Sequence, residues 1–185
     1  MKKTIILIAS ILFLWGCNKQ YKLSKSFNCN PIKTVNKIEI KDFNNNFILT
    51  IPNNWKSKLY FSKYESEIFV ADTLKQLTES FILSTSFNLG KVTLNKNFYQ
   101  KTDSILVANN LELLKSGIDT YQSKQAYWYV AKGFKNKFTF HQFNLTSKRT
   151  ENSYFNASVE IYGDKNVNER ICEAISILQK VKFLQ

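Results

Sequence analysis

Three cysteines, one histidine and fourteen scattered acids are the side chains in this 185-residue sequence whose types could carry chemistry. A Ser-His or Cys-His arrangement would have to use His141, the only histidine, and neither a GxSxG elbow nor a cysteine motif accompanies it. CxxC, HExxH, P-loop and GxGxxG spacings are absent, and five glycines leave little material for a loop that cradles phosphate. Asp72, Asp103, Asp119 and Glu160 stand far apart in the chain, so a carboxylate pair for acid–base work exists only if the fold assembles one. The expectation is a chain without turnover, cofactor or metal, with His141 in a structural role.

The cysteines have chemistry of a different kind. Lys2 and Lys3 precede an apolar run from Ile5 to Trp15 broken only by Ser10, a secretory pattern. The run is too short to span a bilayer, which takes about 20 apolar residues. It closes on Leu14-Trp15-Gly16-Cys17, which resembles the lipobox of bacterial lipoproteins, although Trp15 is bulkier than the usual residue at its place. The resemblance implies that residues 1–16 are a cleaved signal peptide and that Cys17 is acylated by palmitate-like chains. Acyl chains contribute about 0.8 kcal/mol per buried methylene, and two or three anchor stably without a protein helix. A cleaved signal with a chance cysteine is the competing reading. No acidic run follows Cys17, so the expected location is the cell envelope, lipid-anchored at the outer membrane and facing the periplasm.

Cys29 and Cys172 are then the only pair left in an oxidising compartment, where a disulfide can persist. Two half-buried free thiols fit the spacing as well, since Cys is among the most buried residue types.

Removing residues 1–16 leaves 169 residues, enough for one domain with a proper core. The formal charge of +12 falls to +10 with the loss of Lys2 and Lys3. Such an excess suggests anionic partners. The lysines are nevertheless spread along the chain among many Asn, Ile, Phe and Tyr, which reads as composition bias. Lys132, Lys135 and Lys137 fall at one hairpin turn and Lys148 and Arg149 at the next, and successive turns of a meander emerge at opposite ends of a sheet. No nucleic-acid partner is expected.

The positioning elements follow from periodicity. Residues 17–36 read as a lipidated tether and lead-in loop, polar, interrupted by Pro31 and without a period. Residues 37–185 form the domain. Ile38 and Ile40, then Phe47, Leu49 and Ile51 around Asn44-Asn45-Asn46, predict a hairpin that ends at Pro52. Strands are predicted over 57–62, 66–71 and from Phe81 to Phe87, and an amphipathic helix over 96–110. Leu111 to Leu114 fits either the helix or the next strand. Successive antiparallel strands are expected at 117–122, 125–131, 137–146 and 152–162. A change of phase between Phe138, Phe140 and Phe143, Leu145 predicts a bulge near His141-Gln142. A last helix, capped by Asn166 with Glu169 reaching back, should place Val167, Ile171, Ala174, Leu178 and Val181 on the sheet and end near Lys182.

Three stretches in this order, FILTIPNNW (47–55), QAYWYVAKG (125–133) and SVEIYGDKNVNERICEAISILQKVKF (158–183), resemble the PsbP-like family over roughly residues 37–185. The resemblance implies an α+β fold in which a central antiparallel β-sheet is flanked by helices, an α/β/α sandwich. It also implies a mostly non-enzymatic role. Family members that assist a photosystem or bind a small GTPase find no support in these residues, and no family ligand set carries over.

Aromatic residues make up 15% of the chain, with Trp55, Tyr127, Trp128 and Tyr129 in two strand-linked segments. Trp128 reads as core. Trp55, Tyr127 and Tyr129 are the candidate ligand surface for a peptide, a sugar or a lipid, because Tyr and Trp offer large area at low entropic loss. Two functions remain: a non-catalytic envelope scaffold or binding module with a protein partner, and a carrier or sensor for a small apolar ligand held between sheet and helix. A filled core with an exposed apolar patch favours the first, a deep apolar cavity the second.

Overall fold

Strict alternation builds the sheet: Phe155, Ala157, Val159 and Ile161 are fully buried, while Asn156, Ser158 and Glu160 between them are half-exposed. A computed structural model describes residues 22–32 and 36–184. The leader and Cys17 lie outside the described residues. In chain order the elements are α1 (Lys22–Ser26), β1 (Lys37–Lys41), β2 (Phe47–Pro52), β3 (Lys56–Phe61), β4 (Glu65–Ala71), β5 (Ile82–Leu89), α2 (Lys96–Ala108), β6 (Glu112–Tyr121), β7 (Lys124–Lys135), β8 (Phe138–Thr150), β9 (Ser153–Tyr162), α3 (Val167–Leu178) and β10 (Lys182–Phe183). Seven strands form one sheet in the order β3-β4-β5-β9-β8-β7-β6, and β1-β2-β10 form a second, with every pairing antiparallel.

The fold is therefore α+β and mostly antiparallel, with few helices. The sandwich is incomplete, because α3 covers one face of the large sheet and α2 only part of the other. The hairpin of β1 and β2 leaves the central sheet to join β10. Phe183 draws the chain there by packing on Phe155 at 5.2 Å and Phe47 at 6.5 Å. For the same reason α3 stops at Leu178, short of Lys182.

On the core face, Ile171, Ala174, Ile175 and Leu178 of α3 meet Phe47, Leu49 and Ile51 of β2 and the inward residues of β9, β8 and β5. One flank of α3, at Cys172, is covered too, because the packed domain begins before Lys37. Leu23 and Phe27, one helical turn apart, are buried, and Phe27 lies 5.0 Å from Trp128. Two anchoring side chains are too few to give a period, so the stretch reads as a tether in sequence.

The predicted bulge at His141-Gln142 is absent. Both ladders run through it unbroken, with His141 opposite Ile161 on the core face and Phe140 opposite Tyr162 on the other, their rings 5.3 Å apart. The phase change reflects burial on both faces. The register breaks fall instead at Leu113/Lys115 and Lys148/Thr150. Asn166 stands at the start of α3 in the left-handed region (φ 53°) and makes no side-chain cap bond, so the capping box does not form.

Two buried polar residues fix the loops. Asp42 closes the β1–β2 turn, accepting from the backbone N–H groups of Asn46 (2.6 Å) and Phe47 (2.8 Å) and from the Ser66 hydroxyl of β4. Arg170 donates to four carbonyl oxygens, those of Ser80, Tyr162, Gly163 and Lys165.

Candidate functional site

Helix α2 starts where the Asn95 side chain accepts from the Phe98 N–H at 3.1 Å, and it lies on the face of the sheet opposite α3. It is held there by aromatic contacts. Phe98 meets Tyr127 edge-on at 5.9 Å and Tyr99 stacks on it at 4.6 Å, burying Tyr127.

Beside this contact helix and sheet separate, leaving an open cleft of about 430 Å³. Its floor is Tyr129 of β7, Asn144 and Thr146 of β8 and Tyr154 of β9; Phe98, Thr102 and Ile105 of α2 form a wall, and Lys91 and Lys101 stand on the rim. Burial, with Tyr127 as a lesser cause, pushes the Tyr129 hydroxyl up to about 12. Burial also raises the Tyr154 hydroxyl. Thr146 Oγ1 donates to Asn156 Oδ1 at 3.0 Å, and beyond the mouth Gln142 Nε2 donates to Ser158 Oγ at 3.1 Å, so the amide and hydroxyl floor continues across the open sheet. Aromatic faces beside amides and hydroxyls suit a ligand with a flat apolar side and hydrogen-bonding edges. The lining contains no carboxylate and no histidine.

The structure disperses the sequence candidates. Tyr129 lines the cleft, and Tyr127 is packed beneath α2. Trp55 is turned away from the surface: it is 6% exposed, belongs to the core and meets Phe81 edge-on at 5.1 Å. Its loop folds back after Pro52 and carries the ring inward. Cys29 and Cys172 are joined in a disulfide with Cα atoms 5.3 Å apart. His141 is buried on the core face, away from the cleft, with Nε2 3.6 Å from Asp164 Oδ1. Burial lowers its pKa from the ordinary value, and Lys132 and Arg170 push the same way against Asp164. Among the described residues no group of three or more His, Cys, Asp or Glu could hold a metal ion.

Asn144, Thr146 and Tyr154 escape sequence reasoning because each is an ordinary outward residue of its own strand. The signal that could have found them is their shared face: Asn144 pairs with Tyr129, and Thr146 with Tyr127.

No family model and no curated protein matches the sequence. Among solved structures, the chain is similar to cyanobacterial PsbP (CyanoP) from Synechocystis sp. PCC 6803, with TM-score 0.59 and 10% identity over 84% of this chain and 96% of that one. It is also similar to a Bacteroides thetaiotaomicron VPI-5482 protein, with TM-score 0.50 and 11% identity over 83% of this chain and 50% of that one, so it spans half of that protein's length. LpqN, involved in cell envelope biogenesis of Mycobacterium tuberculosis, matches with TM-score 0.43 and 11% identity over 83% of this chain and 99% of that one. The fold of the chain is PsbP-like.

Proposed function

We propose that this chain is a membrane-anchored, non-catalytic envelope lipoprotein that works as a binding module, with the cleft between α2 and the sheet as its binding surface. The observation that carries the reading is the lining of the cleft, in which Tyr129 and Tyr154 stand beside Asn144 and Thr146 with no carboxylate or histidine among them. Attachment through Cys17 rests on the Leu14-Trp15-Gly16-Cys17 ending. No helix among the described residues is long and apolar enough to cross a membrane.

An apolar-ligand carrier fits the geometry less well. Phe47, Phe81, Phe143 and Phe155 fill the space between sheet and α3, and the α2 cleft has a floor of amides and hydroxyls. Of the ligand classes open from the sequence, a sugar matches best, because one ring offers an apolar face to tyrosine and hydroxyl edges to Asn144 and Thr146.

The test is an NMR titration of the protein with cell-wall glycan fragments. Shifts confined to residues around Tyr129, Asn144 and Tyr154, weakened about tenfold or more in Tyr129→Ala, are expected. Shifts elsewhere, or binding unchanged in that variant, would contradict the assignment.

A further inference from the structure

The packed domain begins at Leu23, only six residues after Cys17. Ser24 accepts from Gln179 at the C-terminal end of α3, Lys115 Nζ donates to the Ser26 carbonyl at 2.6 Å, and the disulfide holds Cys29 to α3. An extended chain spans at most about 3.6 Å per residue, so Lys22 can lie no more than about 18 Å from Cys17. If acyl chains on Cys17 enter a bilayer, the end of the domain where α1 starts must sit close to the headgroups.

That end is identified by its neighbours. The Tyr121 hydroxyl donates to the Leu178 carbonyl at 2.6 Å, which places the β6–β7 turn there. The β8–β9 turn emerges at the same end, where the Gly90 N–H donates to the Asn152 carbonyl. The Leu89 N–H donates to the Tyr64 carbonyl, which adds the β3–β4 turn.

Two kinds of residue collect here. Phe43 stacks on Phe61 at 3.7 Å with both rings largely exposed, and Tyr64 and Leu89 are exposed beside them. At the same end of the sheet Lys63, Lys91 and Lys124 make no salt bridge among the described residues. Lys148 pairs with Glu151 at this end, as Lys132 and Lys135 pair with Asp164 and Glu160 at the opposite one, so Lys63, Lys91 and Lys124 are the cations left for an outside anion. Exposed aromatic rings at the same end of the sheet as lysines without salt-bridge partners match an interface where apolar side chains enter the acyl boundary and ammonium groups meet phosphates.

We propose that this end of the domain docks on a bilayer with anionic headgroups, inserting Phe43, Phe61, Tyr64 and Leu89 while Lys63, Lys91 and Lys124 contact phosphates. The inference builds on the anchoring of Cys17 in the proposed function and gives that anchor an orientation. Lys91 belongs to this end and to the rim of the cleft, so the binding surface opens beside the membrane.

The test uses the full lipidated chain in phosphatidylcholine vesicles, with and without phosphatidylglycerol, containing acyl-brominated lipid as quencher. Tryptophan introduced by Tyr64→Trp should be quenched beyond the background of the native tryptophans, several-fold more than tryptophan introduced at the opposite end by Phe134→Trp. Lys63→Glu combined with Lys91→Glu should abolish the extra quenching gained with phosphatidylglycerol. Equal quenching at both positions, or stronger quenching at 134, would overturn the docking. Fatty-acid analysis of the same preparation tests the anchor separately: without fatty acid the anchoring fails, while quenching of Tyr64→Trp by added anionic vesicles still supports docking, and its absence overturns it.

Discussion

The guanidinium of Arg170 donates to the carbonyl oxygen of Ser80 at 2.9 Å, tying α3 to the segment that leads into β5. Its other bonds reach Tyr162, Gly163 and Lys165, so one buried side chain satisfies carbonyls from both sides of the turn into α3. Arg170→Leu leaves these acceptors without their donor and should cost roughly 3 kcal/mol or more, since each buried unsatisfied group costs about 1 to 3 kcal/mol. Arg170→Lys should recover only part, because an ammonium cannot reproduce the planar fork. Urea denaturation of the two variants checks this, and equal stability of wild type and Arg170→Leu would refute it.

Cys29 and Cys172 are 143 residues apart in sequence and joined in the fold. In the chain-entropy model a cross-link closing so long a loop stabilises by about 5 kcal/mol. Cys172→Ala should therefore lower the denaturation midpoint strongly and free α1 from α3. Thiol titration of unfolded, unreduced protein should find neither cysteine reactive; a count near two would show that the bridge is absent.

The strands and the last helix were legible because β9 and α3 each bury one periodic stripe, and a stripe needs no knowledge of its partner. What was not legible depends on partners distant in sequence. Leu23 and Phe27 look like tether until α3 is beside them, and Phe183 looks like the tail of a helix until Phe47 and Phe155 receive it. The aromatic cluster divided for the same reason: Tyr129 lines the cleft, whereas Trp55 turned inward on Phe81, a choice made by the loop after Pro52. Asn144 and Tyr154 meet Tyr129 only through strand order.

Burial holds the His141 pKa below its ordinary value of 6.5. Between the lowered folded value and the unfolded one, the unfolded chain binds more protons, so stability rises with pH across that window. Its contribution is complete above the unfolded value and is lost progressively as pH falls toward the folded one. His141→Gln should flatten the decline in Tm on acidification below about pH 6.5. An unchanged slope in a folded variant would show that the imidazole is not the group responsible.

Tyr129 should ionise late. With its hydroxyl pushed up to about 12, absorbance titration of the tyrosines should contain a component near that pH which disappears in Tyr129→Phe. Identical curves for the two proteins would mean that the cleft floor is open to water.

Under the proposed function, the cleft between α2 and the sheet is where the ligand binds. A photo-crosslinking residue placed at Ile105 on the cleft wall, and for comparison at the exposed Leu74 outside it, tests this in living cells. A discrete adduct should form from position 105 and be lost when Tyr129→Ala is added, with none from position 74. Adducts from position 74 alone, or an adduct at position 105 that survives Tyr129→Ala, would contradict it.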